Sequence, residues 1–235
     1  MQIHSIFESI SGEAGGFPQG TWCTFIRLQG CSLQCRWCDT PEAQAKKAAP
    51  DLEMTIKDIV SQVGTKHVLI TGGEPLLQRD ETVGLILELL DYNHVIQVET
   101  NGHHDIPDIA TDNLNWVVDY KTPSSRMQYQ MFAFRDIGFI ENKKFSGCGQ
   151  GERLEGLNAN HIKFVIGNLE DLTFSLDRMQ ELRGTGGKNL NFVLSPLNAD
   201  KDMVVYILDG IKRRSPSLLD QIIFSIQLHK ILKMP

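Results

Sequence analysis

The sequence lacks several features that would place it in well-known functional classes. No apolar run reaches the roughly 18–20 residues that a membrane-spanning helix needs. Basic residues are not in excess, since 23 Lys and Arg stand against 29 Asp and Glu for a net charge of −6. Phosphate binding draws on clustered Lys and Arg. We therefore expect no membrane association and no nucleic-acid partner, and small-molecule chemistry fits better.

The N-terminus, Met1–His4, has no basic region followed by an apolar stretch, so no secretory signal is predicted and the cytoplasm is the expected compartment. Cysteine is scarce, with five in the chain, yet Cys31, Cys35 and Cys38 lie within eight residues. In a reducing compartment such a cluster is typical of metal binding or catalysis rather than of disulfides. Cys23 sits in an apolar run and is expected to be a buried strand residue. Cys148 is either a loop thiol or a fourth metal ligand.

The length of 235 residues is within the range of one α/β barrel, and we expect residues 1–235 to form a single domain. Short apolar runs alternate with helical patterns, and most of the runs lack the strict alternation of a strand with one exposed face, which favours a buried parallel sheet. The strand-like runs are Thr21–Leu28, His67–Thr71, Val95–Glu99, Trp116–Tyr120, Ile162–Ile166, Leu190–Leu194 and Ile222–Ile226. Seven runs are fewer than a closed barrel needs. We therefore predict an α/β fold, a partial, open (β/α) TIM-type barrel of about six or seven mainly parallel strands.

The three clustered cysteines are spaced C-x3-C-x2-C and directly follow the first predicted strand. Three thiolates can bind three irons of a [4Fe–4S] cubane and leave the fourth iron without a protein ligand. The open iron can chelate the amino and carboxylate groups of S-adenosylmethionine. The alternative is a zinc site completed by a distant His or Cys, because structural zinc normally takes four protein ligands. With an aromatic residue just before the third cysteine, the triplet resembles the radical S-adenosylmethionine (SAM) superfamily.

A second motif, Thr71–Pro75 (TGGEP), follows the next predicted strand. In the superfamily that it resembles, a Gly-Gly-Glu motif at this place binds the amino group of SAM. Glycines let backbone carbonyls approach an ammonium closely, and a nearby carboxylate adds charge. Both motifs lie at carboxyl ends of predicted strands, where barrel active sites are found.

Within that superfamily the chain resembles the 7-carboxy-7-deazaguanine synthase family. The stretches that carry the resemblance are Phe7–Glu13, Phe25–Cys31, Trp37–Thr40, Val68–Pro75, Val98–Gly102 and Ser225–Lys230. The resemblance implies a lyase that converts 6-carboxy-5,6,7,8-tetrahydropterin into 7-carboxy-7-deazaguanine with loss of ammonia, in the queuosine pathway. It also implies one [4Fe–4S] cluster, SAM and Mg²⁺ as cofactors, a flavodoxin or ferredoxin as electron donor, and a homodimer.

The same resemblance assigns site residues. The cluster ligands are Cys31, Cys35 and Cys38, and the Mg²⁺ ligand is Thr40. The SAM contacts are Trp37, Cys38, Asp39, Gly73, Glu74, Lys121 and Ser124. The substrate contacts are Ser11, Gly12, Glu13, Arg27, Thr71, His229 and Pro235. Chemically, Glu13 can accept hydrogen bonds from the guanidine-like edge of a pterin, and Arg27 can hold its carboxylate in a bidentate fork. His229 as a satisfied core histidine, and Pro235 as a frayed end, remain alternatives, and Lys163 is assigned more loosely to the adenine side.

The chain also departs from the family pattern. It has Ser11-Gly12-Glu13-Ala14 where the family usually has Gln-Gly-Glu-Gly, and Asp119-Tyr120-Lys121 where related sequences usually have Ser-Pro-Lys. The stretch Pro123–Asn160 has no clean period and the weakest resemblance. Three other functions remain open: a radical enzyme that activates a partner protein by forming a glycyl radical, a non-catalytic zinc or iron–sulfur module, and a deazaguanine enzyme whose specificity has drifted.

Overall fold

A computed structural model describes residues 1–45, 53–130, 160–184 and 190–234. They contain eight strands and five α-helices joined by loops and short 3-10 turns. The strands are β1 Ile3–Ile10, β2 Trp22–Leu28, β3 His67–Gly72, β4 Val95–Thr100, β5 Leu114–Asp119, β6 His161–Ile166, β7 Asn191–Pro196 and β8 Ile222–Phe224. The helices are α1 Ile56–Val60, α2 Arg79–Asp91, α3 Leu169–Gly184, α4 Lys201–Arg214 and α5 Leu228–Leu232.

The eight strands form one sheet in the order β1 to β8. Strands β2 to β8 are parallel to their neighbours, and they correspond to the seven runs found in the sequence. In the part of the chain that the structure describes, β1 and β8 do not pair with each other. The predicted partial, open α/β barrel is therefore confirmed.

Strand β1 was missed by the sequence analysis and raises the number of strands to eight. It mixes His, Ser and Glu with apolar residues, and only two of its residues are buried, so its apolar pattern is weak. Its pairing with β2 is antiparallel and runs from Ile3–Leu28 to Ile10–Trp22. Because β1 is an edge strand, its structure depends on this partner more than on its own composition.

Two apolar layers on the outer face of the sheet hold the helices against it. Under α1 and α2 the layer includes Ile26, Ile70 and Leu85, and under α3 and α4 it includes Phe164 and Phe192. Inside the barrel, a smaller cluster contains Phe17, Cys23, Phe25 and Leu69. Cys23 is fully buried in β2, as predicted.

Among the described residues, no helix has both the length and the apolar character needed to cross a membrane. The outer face and the lower interior of the sheet are filled with apolar side chains. The carboxyl ends of the seven parallel strands open toward the loops that carry the predicted motifs. This end of the barrel holds the candidate site.

Candidate active site

A cavity opens at the carboxyl ends of the strands and encloses about 1190 Å³, part of it open to solvent. It brings together most of the residues predicted for the site: Gly12, Glu13, Arg27, Cys31, Cys35, Trp37, Cys38, Asp39, Thr40, Thr71, Gly73, Lys121 and His229. Three predicted residues do not line it: Ser11, Glu74 and Ser124. Pro235 and Cys148 lie outside the described residues.

The three cysteines of the loop after β2 are free, partly buried thiols that all line this cavity. Burial raises the pKa of Cys31, and it raises the pKa of Cys35 to about 11 although the Lys121 ammonium opposes it. The sulfur of Cys31 accepts from the Leu33 backbone N–H at 3.4 Å. Metal binding would draw off the thiol protons. Three sulfurs on one wall of an open cavity fit a cubane that keeps one iron free for another ligand.

The zinc alternative needs about four side chains around a single ion. Among the described residues, no group of three or more His, Cys, Asp or Glu side chains is arranged to hold one metal ion. That part of the chain therefore contains no preformed zinc site of this kind.

The two glycines of the TGGEP motif let the end of β3 lie directly against the start of the cysteine loop. A Cβ on Gly73 would stand 1.9 Å from the Gly30 carbonyl oxygen, and one on Gly72 would stand 2.4 Å from the Leu28 backbone nitrogen. Gly72 also has a φ of +113°, in the region that favours glycine. The Glu74 N–H donates to the Gly30 carbonyl at 2.7 Å. The glycines thus fix the position of the loop that carries the cysteines.

The carboxylate of Glu74 points away from the cavity and is fully buried. It accepts hydrogen bonds from the Leu76 N–H at 2.9 Å, the Thr100 hydroxyl at 2.7 Å and the Asn101 N–H at 2.7 Å. Burial raises the pKa of Glu74, and these donors oppose the rise. Asn101 in turn donates to the Cys31 sulfur at 3.5 Å. Glu74 therefore ties the end of β4 to the cysteine loop from behind the cavity.

The substitution Glu74→Gln is expected to destabilise the fold, because an amide nitrogen would face a backbone or hydroxyl donor. We expect a loss of about 2 kcal/mol, which corresponds to a melting temperature lower by about 5 °C. Thermal unfolding measures it, with Glu81→Gln on the exposed first turn of α2 as the control. Equal melting temperatures for the two variants would contradict this role of Glu74.

Arg27 presents an unpaired cation to the cavity. Its guanidinium lies 4.8 Å from the centre of the Phe7 ring and 5.9 Å from that of Phe25, and the two rings are stacked at 5.0 Å. No described residue forms an ion pair with this guanidinium. The described structure therefore contains no surface ion pair at Arg27. The rings hold the planar group in place by cation–π contact. Its hydrogen-bonding edge remains available to an anionic ligand.

Glu13 is buried at 8% exposure and is held by two side chains from distant parts of the chain. The Lys163 ammonium lies 2.5 Å from Oε2, and the Gln227 amide donates to Oε1 at 2.7 Å. Burial by itself would raise the pKa of Glu13, but the charge and hydrogen bond of Lys163 and the bond from Gln227 outweigh it and lower that pKa. Glu13 is thus a carboxylate aimed into the cavity with lone pairs still free.

His229 packs on Gly12, where a Cβ would stand 2.0 Å from the imidazole Nδ1. The chain on either side is tied together, because the Leu228 N–H donates to the Gly12 carbonyl at 2.9 Å. Burial lowers the pKa of His229, although Glu13 opposes the shift. A neutral imidazole therefore faces the cavity at pH 7, and only glycine at position 12 leaves room for it.

Two more predicted residues, Ser124 and Ser11, support the cavity from outside. The Trp37 indole N–H donates to the Ser124 hydroxyl at 2.9 Å, and that hydroxyl donates to Asp171 at 2.6 Å. Ser124 thereby orients Trp37, whose ring lies 5.6 Å from the Lys121 ammonium. The hydroxyl of Ser11 donates to the Glu13 carbonyl at 2.8 Å. It shapes the turn that presents Glu13 instead of facing the cavity.

The sequence analysis missed the roles of four polar residues at this end of the barrel. Gln227, Glu99, Asp119 and Lys163 line the cavity, and Lys163 pairs with Glu13. Glu99 accepts from Gln97 at 3.0 Å, and Asp119 pairs with Lys121 at 2.5 Å. For Glu99, Asp119 and Lys163, the available signal was a charged residue inside or at the end of an otherwise apolar strand, which is costly unless it is paired.

Oxygen donors at the rim suit a magnesium ion. The Thr40 hydroxyl and the Asp39 carboxylate lie side by side, 3.4 Å apart, at the end of the cysteine loop. Both groups are of the hard oxygen type that Mg²⁺ prefers, and they leave most positions to water or substrate. Deeper in the cavity, the Thr71 hydroxyl donates to Glu99 at 3.4 Å.

Known proteins similar to this chain have matching sequence and fold. Residues 25–118 match the model of the Radical SAM superfamily. The chain is 32% identical over 234 residues to 7-carboxy-7-deazaguanine synthase of Clostridium acetobutylicum, covering 97% of this chain and 94% of that protein. It is 29% identical to the enzyme of the same name from Methanospirillum hungatei, covering 100% and 86% of the two chains. The crystal structure of QueE from Escherichia coli has a similar fold, with a TM-score of 0.66, 24% identity, and coverage of 96% and 92%.

Proposed function

The chain belongs to the 7-carboxy-7-deazaguanine synthase family of radical SAM enzymes, and from this we propose its substrate and its metal requirement. The substrate is 6-carboxy-5,6,7,8-tetrahydropterin, and the product is 7-carboxy-7-deazaguanine, formed with loss of ammonia on the way to queuosine. The reaction requires Mg²⁺. One observation carries the proposal: the Arg27 guanidinium, which has no ion pair among the described residues, and the buried Glu13 carboxylate share one cavity with the three cysteines.

The family implies a [4Fe–4S] cluster and SAM, and the chemistry of the cavity wall suits both. Cys31, Cys35 and Cys38 would hold the cluster, and the backbone around Gly73 would accept the SAM ammonium. Trp37, Asp39 and Lys121 line the same cavity, Ser124 holds the Trp37 indole, and Glu74 holds the backbone at Asn101 from behind the cavity. When bound, these groups supply a 5′-deoxyadenosyl radical that removes hydrogen from C6 of the pterin.

The other wall suits the pterin. A pterin is flat, has two or more N–H donors along its guanidine-like edge, and in this substrate carries a carboxylate. Glu13 would accept hydrogen bonds from the edge, while Arg27 would bind the carboxylate through its fork. Thr71, His229 and Gly12 complete this wall. Thr40 would hold Mg²⁺, which would supply positive charge to help bind the substrate carboxylate.

The decisive test is an anaerobic assay of the reconstituted protein with SAM, dithionite, Mg²⁺ and 6-carboxytetrahydropterin. Mass spectrometry is expected to find 7-carboxy-7-deazaguanine, and omission of Mg²⁺ is expected to reduce its yield. If 5′-deoxyadenosine forms without that product, the substrate is wrong. A protein-activating radical enzyme and a deazaguanine enzyme with altered specificity would both give that result. A purified protein that contains zinc and no labile sulfide would contradict the proposed cofactors as well.

The substitution Arg27→Gln is expected to weaken substrate binding and leave SAM binding unchanged. A charge-assisted fork is worth about 2–3 kcal/mol, so KM for the pterin should rise roughly 30- to 150-fold. The exposed Arg213→Gln on α4 is the matched control. If Arg27→Gln instead raised KM for SAM alone, Arg27 would belong to the cofactor wall.

Three further properties belong to this proposal. We propose a flavodoxin or ferredoxin as the electron donor, a homodimer as the assembly, and a single domain for residues 1–235. The single sheet formed by the described strands supports the last of these.

A further inference from the structure

Lys163 is a buried cation in the middle of β6. It is 7% exposed, in a strand whose six residues are all buried. Lysine is almost never buried unless it is paired. Its partner is Glu13, in the connection between β1 and β2, at 2.5 Å and 150 residues away in sequence. This contact joins β6 to the connection between β1 and β2 beside the cavity.

Three carboxylates from different elements act on this ammonium. Burial alone would lower the pKa of Lys163, but the charges of Glu13, Asp119 and Glu99 outweigh burial and hold that pKa well above its ordinary value. Asp119 is already paired with Lys121, and Glu99 already accepts from Gln97 and Thr71. Among the described residues, Glu13 is the one of these three acids that hydrogen-bonds to the Lys163 ammonium, although the charge of Lys163 also opposes the raised pKa of Glu99.

Without Lys163, the surroundings of Glu13 would disfavour its ionised carboxylate. Within the described residues, the other groups that face it are Asp39 from the cysteine loop, Glu99 from β4, and Gln227 and the neutral His229 from the C-terminal segment. None of these supplies a full positive charge at hydrogen-bond distance. Burial and two like charges would then favour the protonated form of Glu13. A protonated Glu13 is a poorer acceptor for the N–H groups of a pterin.

We propose that Lys163 is a positioning residue for the substrate: it holds the Glu13 carboxylate in the orientation that accepts hydrogen bonds from the guanidine-like edge of the pterin. The inference rests on the proposed function and adds a residue that acts through Glu13. Lys163 does not itself bind the pterin. A purely structural ion pair would change the stability of the protein but not the pH dependence of substrate binding.

The test compares Lys163→Met and Lys163→Arg with the unsubstituted holoenzyme between pH 6 and 8.5. The unsubstituted enzyme keeps Glu13 ionised throughout, because the pKa of Glu13 is lowered. In Lys163→Met we expect KM for the pterin to be raised about 30-fold or more at pH 6. The effect should diminish as the pH rises, because a carboxyl with a raised pKa ionises only at higher pH. Lys163→Arg should restore most of the affinity, and KM for SAM should not change.

A second comparison remains informative even if Lys163→Met fails to fold. The variant Glu13→Gln/Lys163→Met removes both charges and is compared with Glu13→Gln alone. If Lys163 acts through Glu13, the two should have the same KM for the pterin. A further increase in the double variant, or a Lys163→Met enzyme with lower melting temperature but an unchanged KM and pH profile, would overturn the inference. If the unsubstituted enzyme forms no product, the proposed function fails, and the inference fails with it.

Discussion

Replacing Cys35 with alanine is expected to abolish cluster assembly and product formation together. Cys31, Cys35 and Cys38 line one wall of the cavity, so removing one thiol leaves an iron of the cubane without its protein ligand. Iron and labile sulfide after anaerobic reconstitution should fall sharply, and no 7-carboxy-7-deazaguanine should be detected. The thiol of Cys35 is partly buried, and its alanine variant leaves only a small void, so the fold should persist.

Cys23→Ala is the matched control for this result. Cys23 is a free cysteine of the same protein, but it is fully buried in β2 among Phe17, Phe25 and Leu69, and its own side chain does not line the cavity. Its variant should bind iron and form product normally, with at most a modest loss of stability. Full iron and sulfide content in Cys35→Ala would contradict the assignment of that residue. Loss of iron in Cys23→Ala would show that the cluster is held elsewhere.

The second large effect is expected for Gly73→Ala. The added Cβ would stand 1.9 Å from the Gly30 carbonyl oxygen and 2.8 Å from that of Ala43, and both obstacles are backbone atoms. Backbone cannot turn aside as a flexible side chain can, so the cysteine loop must shift. A displacement of about 1 Å at an active site can cost on the order of 10²-fold in rate. We expect at least that loss of activity, together with weaker SAM binding.

Gly84→Ala separates this effect from the general cost of replacing glycine. Gly84 lies in α2, and its added Cβ would meet only the end of the flexible Ile56 side chain at 2.9 Å. Alanine favours a helix over glycine by up to about 1 kcal/mol. This control should therefore keep its activity and melt at a similar or slightly higher temperature. Unimpaired activity in Gly73→Ala would mean that the close approach is not required.

Local patterns in the sequence were enough to predict much of the fold. Each of the seven parallel strands is a short apolar run, and such runs reflect burial on both faces of the strand. Strand β1 was missed because its pattern is mixed and its pairing with β2 supplies what its composition lacks. Asp200 is a clear local signal at the start of α4, since its carboxylate accepts from two N–H groups of the first turn.

The candidate site likewise has features that the sequence predicts and features that only the tertiary structure shows. The spacing of the three cysteines, the two glycines before Glu74 and the family resemblance all come from contiguous stretches, so they were visible in the chain by itself. The direction of the Glu74 carboxylate was not visible. A carboxylate next to a glycine pair can face the ligand or the backbone, and only the three donors from the ends of β3 and β4 decide it.

The sequence by itself therefore determined the fold class through the periodicity of its apolar runs, and it indicated the chemistry of the cysteine triplet through the family that the triplet resembles. The tertiary structure alone decided that Lys163 meets Glu13, and that Arg27 has no acidic partner within the described part of the chain. Lys163 and Glu13 lie 150 positions apart in the sequence. Whether they meet depends on the register of strands around the barrel, and electrostatic interactions act over distances in space that the order of residues does not specify.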